Sequence, residues 1–387
     1  MKKIIAVITV IALCVGILAG CGGQSAPADE GGNAAPQASG AAAPAPAAKD
    51  GQIKIGVIVY DTSCQWAKDI VGCVQALADE LDVYIEPVIG GTDPNATMDA
   101  VQNFGAAGYD GILNLHPGTI MPSLMETCES YEMYMATSND PASANENYAE
   151  YKDSPYWAGE SWEDEVPVAK AIVEEMIANG AKKFALHGFP MGLSSQMDIR
   201  LQAAKECIES HKADGVELVA EGLDFDKAGA AKNIVDQHPE VDAIFSSVET
   251  VSTVYQPLND AGLAQKVQLN CYDPSEGSLE AMQDGTINYL VTGTCGDSMI
   301  AFVLLYNAIM GNKMVQDNGE AASIQMNYLV CKTADDYQTV IDHCSAANPP
   351  YTFEELSQFI GEGASYNDLA AFAGNFSLED IQTRLGK

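Results

Sequence analysis

The sequence predicts an α/β chain of two doubly wound lobes built on parallel sheets, and three observations carry that expectation. From Gln52 onward, short apolar, β-branched runs alternate with segments whose apolar residues recur at helical spacing. The runs are continuously apolar rather than alternating, as in strands covered by helices on both faces. About 335 residues follow the N-terminal segments, enough for two lobes of roughly 130 to 150 residues, and the strands are too many for one sheet.

The elements follow in order. Ile53 to Tyr60 is a strand ending in the turn-like Asp61-Thr62-Ser63, and Trp66 to Leu81 has helical periodicity. Val83 to Ile89 is a strand that runs into Gly90-Gly91-Thr92-Asp93-Pro94-Asn95, with a helix to Ala107. Strand Gly111 to Leu115, helix Ile120 to Tyr131 and strand Met133 to Thr137 come next, before an irregular stretch. The alternation resumes with helix Glu165 to Asn179, strand Lys183 to His187, helix Gln196 to His211, strand Val216 to Ala220, helix Asp226 to Gln237 and strand Ala243 to Ser246. It closes with helix Thr250 to Ala261, strand Val267 to Cys271, helix Ser275 to Asp284, strand Ile287 to Thr292 and helix Asp297 to Met310. The run Met299 to Met310 is too short to span a bilayer and reads as a core helix.

The chain begins with an export signal: Lys2 and Lys3, the apolar run Ile4 to Leu18, then Leu18-Ala19-Gly20-Cys21. A cysteine directly after small residues resembles the bacterial lipobox, in which the sulfur of Cys21 is diacylated and tethers the mature protein to the cell membrane. Residues 22–51 form an Ala/Pro/Gly-rich linker that cannot bury a core, so the expected arrangement is a folded domain on a leash outside the cytoplasmic membrane.

The formal charge is −35, and removing Lys2 and Lys3 with the signal takes it to −37. A surface so acidic repels nucleic acid and anionic lipid. Eight cysteines remain after Cys14 and Cys21 are set aside, mostly inside apolar patterns where cysteine acts as a small hydrophobe. Cys331 and Cys344 are the pair to test for a disulfide. There is no Cys-x-x-Cys, and His116, His187, His211, His238 and His343 are scattered, so no metal site is expected. Nor is there a Gly-x-Ser-x-Gly elbow, a Walker loop or a His-Glu-x-x-His, which argues against an enzyme.

In doubly wound folds ligands sit beyond the carboxyl ends of the strands. There the sequence places Ser63-Cys64-Gln65-Trp66, His116-Pro117, Ser138-Asn139-Asp140, Asp224-Phe225-Asp226, Glu249 and Tyr272-Asp273. Trp66 is read as a pocket wall or a packing residue. Arg200, one of two arginines with Arg384, is read as a ligand fork or a salt-bridge partner. Aromatic faces, carboxylates and an arginine in one cleft are the chemistry of sugar binding.

With these pieces assembled, the chain resembles the type I periplasmic-binding-protein superfamily, in the branch of ribose- and other sugar-binding proteins of ABC importers. The residues that carry the resemblance are Lys54-Ile55-Gly56-Val57-Ile58, Gly108-Tyr109-Asp110-Gly111-Ile112-Leu113, His238-Pro239-Glu240-Val241-Asp242-Ala243-Ile244-Phe245, and Tyr272-Asp273 with Leu279 to Gly285. The resemblance implies Rossmann-like lobes joined by a three-strand hinge, with crossings near Tyr156 to Glu160, Gly293 to Gly296 and Ile324 to Asn327. The lobes are then residues 52–157 with 294–326, and 158–293 with 327–345. It further implies a pocket lined by Ser63, Gln65, Trp66, His116, Ser138, Asn139, Arg200, Phe225, Glu249 and Asp273, with Thr294 at the hinge and Arg200 facing Asp273 from the opposite lobe. Sugar binders often carry Asp-Arg where Ser138-Asn139 stands, Asn or Asp at His116, and Asn-Asp at Val248-Glu249, so the departures point to a ligand with fewer hydroxyls or a differently placed polar group.

The implied function is a monomeric, lipid-anchored solute receptor without cofactor that delivers a sugar-like molecule to an ABC permease. The alternative is a receptor of the same fold serving a membrane sensor, with an autoinducer or nucleoside as ligand. Residues 346–387 form a helical extension, with helices near Tyr351 to Ile360, Tyr366 to Ala373 and Leu378 to Leu385, that packs back on a lobe or meets the permease.

Overall fold

A computed structural model describes residues 48–62, 64–90, 93–115 and 118–385. The lipobox Cys21 lies outside the described residues, as do Ser63 and His116. In chain order the elements are β1 (Lys54–Val59), α1 (Gln65–Glu80), β2 (Tyr84–Ile89), α2 (Pro94–Ala106), β3 (Gly111–Asn114), α3 (Met121–Ser130), β4 (Tyr134–Asn139) and β5 (Trp157–Glu163). There follow α4 (Glu165–Ala178), β6 (Lys183–Gly188), α5 (Ser195–Ser210), β7 (Glu217–Leu223), α6 (Lys227–Gln237), β8 (Ala243–Ser246), α7 (Gln256–Asp260), β9 (Gln268–Tyr272), α8 (Ser278–Gln283) and β10 (Tyr289–Thr292). The last are α9 (Thr294–Ile309), β11 (Ala322–Met326), β12 (Leu329–Cys331), α10 (Ala334–His343), α11 (Phe353–Ser357), α12 (Tyr366–Ala373) and α13 (Leu378–Arg384).

Two sheets of six strands result, ordered β11-β5-β4-β3-β1-β2 and β12-β10-β9-β8-β6-β7. All pairings are parallel except β12 on β10. The continuously apolar strands are buried as their composition requires: every residue of β3 and β8 lies in the interior. Pro87 falls in β2, an edge strand, where its missing N–H costs no ladder bond on the open side. Strand order reverses at β1/β3 in one sheet and at β6/β8 in the other, which opens a crevice at those carboxyl ends.

β5 corrects the expected lobe boundary. It pairs with β4 from Met135↔Trp157 to Asn139↔Trp162 and with β11 beyond, so the chain stays in the first sheet through Glu163. The crossing falls at Asp164, whose side chain caps α4 by accepting from the Val166 amide. Charge hid this strand: Glu160 is fully buried, accepting from the Ser143 amide at 2.9 Å and the Ser323 hydroxyl at 2.6 Å. Trp157 and Trp162 both belong to β5, and Trp157 is buried edge-on against Tyr151 in the first lobe.

The chain returns at Gly293, which precedes α9 with φ 119°, and leaves again between β11 and β12 at Asn327. A side chain at Gly293 would meet Leu329 and Phe376 at about van der Waals contact or closer, and its left-handed backbone favours glycine. α9 is apolar almost all round and buried against β4, β5 and α1, as a core helix must be.

The C-terminal extension packs back, and it touches both lobes. α13 lies on α10, which rests on α8 and β12 of the second lobe, whereas α12 lies on β11, where the Tyr366 hydroxyl donates to the Ser323 carbonyl at 2.8 Å. Buried Asn307 of α9 donates to the Phe359 carbonyl and accepts from the Gly361 amide, both at 2.8 Å. Phe376, fully buried, closes over Gly293 and Gly296. All eight described cysteines are free, Cys331 and Cys344 included. No helix among the described residues is long and apolar enough to cross a membrane.

Candidate functional site

A cavity of about 480 Å³ lies between the sheets at their carboxyl ends. From the first lobe it is lined by Tyr60, Cys64, Gln65, Trp66, Lys68 and Asn139; from the second by Phe189, Gln196, Met197, Arg200, Lys227, Val248, Glu249, Ser252, Asp273, Pro274, Ser275 and Glu276. Its volume suits a small molecule, and two lobes enclosing it can exclude water from most of a ligand's surface.

The strand ends aim these groups. Asn139 ends β4 with φ 77° and Asp273 follows β9 with φ 62°. Asn and Asp tolerate this left-handed region, which turns the chain sharply where strand gives way to loop. Glu249 is held in place: its carboxylate accepts from the Ser252 amide at 2.9 Å, the Ser252 hydroxyl at 2.5 Å and the Ser275 hydroxyl at 2.9 Å. Burial pushes the Asp273 carboxyl up to about 6, although Arg200 draws it down. Burial lowers Lys227, whose ammonium sits 4.2 Å from the Phe189 ring centre.

Arg200 is a buried anchor rather than a free fork. Its Nε and Nη2 donate to the two Glu165 carboxylate oxygens at 2.6 and 3.0 Å, Nη1 donates to the Ser247 carbonyl at 3.1 Å, and Nη2 also reaches the Tyr328 hydroxyl at 3.0 Å. The guanidinium lies 4.0 Å from the Tyr272 ring centre. Burial works against its charge, but Glu165 and Tyr328 beside it hold it charged. Arg200 and Asp273 do not face one another from different lobes: α5 and β9 belong to the same lobe, and Arg200 forms part of the cavity floor on Asp273's own side.

Three other expected residues stand elsewhere. Phe225 follows the edge strand β7, is 68 % exposed and touches the site only through Phe189, 6.0 Å away centre to centre. Ser138 is fully buried under the cavity, its hydroxyl 3.1 Å from that of Ser298 on α9. Thr294 stands at the hinge as expected, directly after the crossing at Gly293, but lines a neighbouring cavity of about 400 Å³ with Tyr337 and Cys344. Gln65, Trp66, Asn139, Glu249 and Asp273 do come together. Phe189, Lys227 and Gln196 had not been expected; Phe189 stands directly before a proline at the end of β6, the same strand-end signal as the others.

Hydrogen bonds bridge the lobes beside the cavity. Gln196 Nε2 donates to the Asn139 carbonyl and side-chain oxygens, both at 3.3 Å, and the Ser195 hydroxyl donates to the Asp140 carboxylate at 3.0 Å. Below them, at the hinge, Glu163 of β5 meets Asp297 of α9. Burial raises both carboxyls, Asp297 to about 7, and the Asn139 amide donates to Asp297 at 2.5 Å.

Comparison with known proteins agrees with this architecture. Residues 55–313 match the family described as periplasmic binding protein domain. The chain belongs to that family, whose members act outside the cytoplasm and bind solutes rather than transform them. Its sheets match the type I fold. Among similar solved structures is an ABC-transporter solute-binding protein from Agrobacterium vitis bound to α-D-tagatopyranose, with a TM-score of 0.63, 13 % identity, and coverage of 76 % of this chain and 98 % of that one. A second, from Actinobacillus succinogenes with bound D-allose, has a TM-score of 0.63 and 15 % identity, covering 74 % of this chain and 100 % of that one. A third, from Bacillus halodurans with bound myo-inositol, has a TM-score of 0.60 and 18 % identity, covering 76 % and 99 %. No curated protein sequence matches the chain.

Proposed function

We propose that the protein captures a monosaccharide or polyol in the interlobe cavity and presents it to an ABC permease, tethered to the membrane through Cys21. The observation that carries the reading is the cavity's division of labour. Trp66 offers an apolar ring from one lobe, while Glu249, held by Ser252 and Ser275, Asp273 and Lys227 offer hydrogen-bonding groups from the other. A pyranose or cyclitol has that pairing of a C–H face with a belt of hydroxyls. The sugars and cyclitol bound by the similar structures support the same class. Closure on the ligand around the three crossings would give the permease a form to recognise.

A thermal-shift and calorimetric panel of pentoses, hexoses, their amino derivatives and cyclitols tests the ligand. The expected result is one saturable binder per chain with a change in Trp66 emission that is lost in Trp66→Phe. Failure of all of them to bind would overturn the class. The anchor is tested separately, because Cys21→Ser should leave an exported protein that no longer partitions with membranes.

A further inference from the structure

The second lobe carries a cluster that the cavity does not use. Cys207 lies on α5 and His211 caps that helix's C-terminus, four residues on and therefore on the same face, while Glu174 reaches them from α4. One atom from each, the Cys207 sulfur, a His211 ring nitrogen and a Glu174 carboxylate oxygen, all lie within 4.8 Å of one another. Cys207 Sγ is 3.4 Å from Glu174 Oε1, and His211 Nε2 is 3.3 Å from Glu174 Oε2. Zinc–ligand bonds of about 2.0 to 2.3 Å in a tetrahedron imply ligand–ligand edges of roughly 3.3 to 3.6 Å. Each contact has the length of such an edge, one on either oxygen of the Glu174 carboxylate, and with one atom taken from each residue the three lie within 4.8 Å.

The other imidazole nitrogen decides what must sit between His211 and Glu174. Nδ1 is 3.0 Å from the Cys207 carbonyl and 3.1 Å from the Ser210 hydroxyl. A carbonyl only accepts, so Nδ1 bears a hydrogen, and Nε2 faces a carboxylate oxygen. Two acceptors at that distance need a cation between them, either a proton or a metal ion. The neighbouring thiol, which donates to Glu174 at 3.4 Å, favours the metal because it becomes a strong zinc ligand once deprotonated. A backbone carbonyl on Nδ1 is also the support that orients metal-bound histidines. Access suits an ion arriving from solvent: Glu174 is exposed and His211 half-buried, while Cys207 is buried behind them. The acidic chain concentrates cations at its surface.

We propose that Glu174, Cys207 and His211 bind one Zn²⁺, with water completing the tetrahedron, and so clasp α4 to α5. The same two helices hold the buried Glu165–Arg200 pair nearer their N-termini, so the ion closes the other end of the pair that floors the cavity. The spacing Cys207-x-x-x-His211 was visible in the sequence, but the third ligand, 33 residues before Cys207, is brought in only by the packing of α4 on α5.

The test titrates chelator-treated protein with Zn²⁺ and Co²⁺. The expected result is one ion per chain, a thiolate-to-cobalt charge-transfer band, and a zinc-dependent rise in thermal midpoint. Cys207→Ser should abolish the band, and Cys207→Ser and His211→Ala should each weaken zinc binding at least about ten-fold, while the surface control His238→Ala leaves both unchanged. Glu174→Gln, at an exposed position, must also weaken binding, which keeps the proposal falsifiable should the buried cysteine variant fail to fold. Absence of saturable zinc binding, or binding indifferent to all three substitutions, overturns it. An imidazolium resonance of His211 that persists with excess zinc would assign the bridging cation as a proton and overturn it as well.

Discussion

The two lobes present unlike walls to the cavity they share. The first contributes a phenol, an indole, a thiol and two amides, with Lys68 its one charged group; the second contributes Arg200, Lys227, Glu249, Asp273 and Glu276 beside the Phe189 ring. The second wall is also wired from within, through Glu165–Arg200–Tyr328 and through Glu249 with its two serines. A rigid, charged half that fixes hydroxyl positions and an aromatic half that covers the ring is an economical way to bind a sugar-like ligand. Orientation would be set on one lobe before the other closes.

The sharpest way to break that contrast is to unwire the second wall. Glu165→Ala leaves the Arg200 guanidinium buried without its carboxylate, a loss on the order of 3 to 5 kcal/mol. Denaturant unfolding should show it as a large fall in midpoint, with Glu165→Gln intermediate because it keeps hydrogen-bonding capacity. A change below about 1 kcal/mol, the size of a surface pair, would mean that Arg200 is solvated and the second wall no stiffer than the first.

The contrast also explains what could be read from the sequence. Apolar runs dictated both sheets, and the rule that doubly wound sheets bind at strand ends led from the sequence to Gln65, Trp66, Asn139, Glu249 and Asp273, which gather at one cavity. β5 was missed because Glu160 and Glu163 interrupt an otherwise apolar segment, and their burial is tolerable only through tertiary partners or a retained proton. The role of Arg200 was half legible: its scarcity marked it, but its partners come from 35 and 128 residues away along the chain. Phe225 misled because the reading could not tell that β7 is an edge strand, whose end falls outside the crevice.

The hinge between the walls should respond to pH. Burial raises the Asp297 carboxyl from 3.8 to about 7, so the folded state holds a proton that the unfolded chain has released. That stabilisation is fully present below pH 3.8 and is lost as pH rises through about 7. Buried His187, lowered from 6.5 to about 4, acts in the opposite sense and costs stability as pH falls through that window. Asp297→Asn keeps the acceptor for the Asn139 amide and removes the titration. Thermal midpoints measured from pH 4 to 8 should therefore decline less steeply with rising pH in the variant than in the parent. Parallel curves would show that Asp297 does not hold the proton.

The smallest expected effect separates the cavity's true rim from its surroundings. Phe225 and Phe189 form an edge-to-face pair, yet only Phe189 lines the cavity, and Lys227 rests on it. Phe189→Ala removes both a cavity wall and the ring beneath the ammonium, contacts each worth about 0.5 to 1.5 kcal/mol, so ligand affinity should fall roughly five-fold or more. Phe225→Ala removes a ring that is 68 % exposed and should leave affinity within about two-fold, since a single contact at a distance from the ligand is worth little. Calorimetry on the two variants with one ligand reads the difference directly. Equal losses would mean that the second wall extends past β6 to the edge of the sheet, and that Phe225 swings onto the bound ligand when the lobes close.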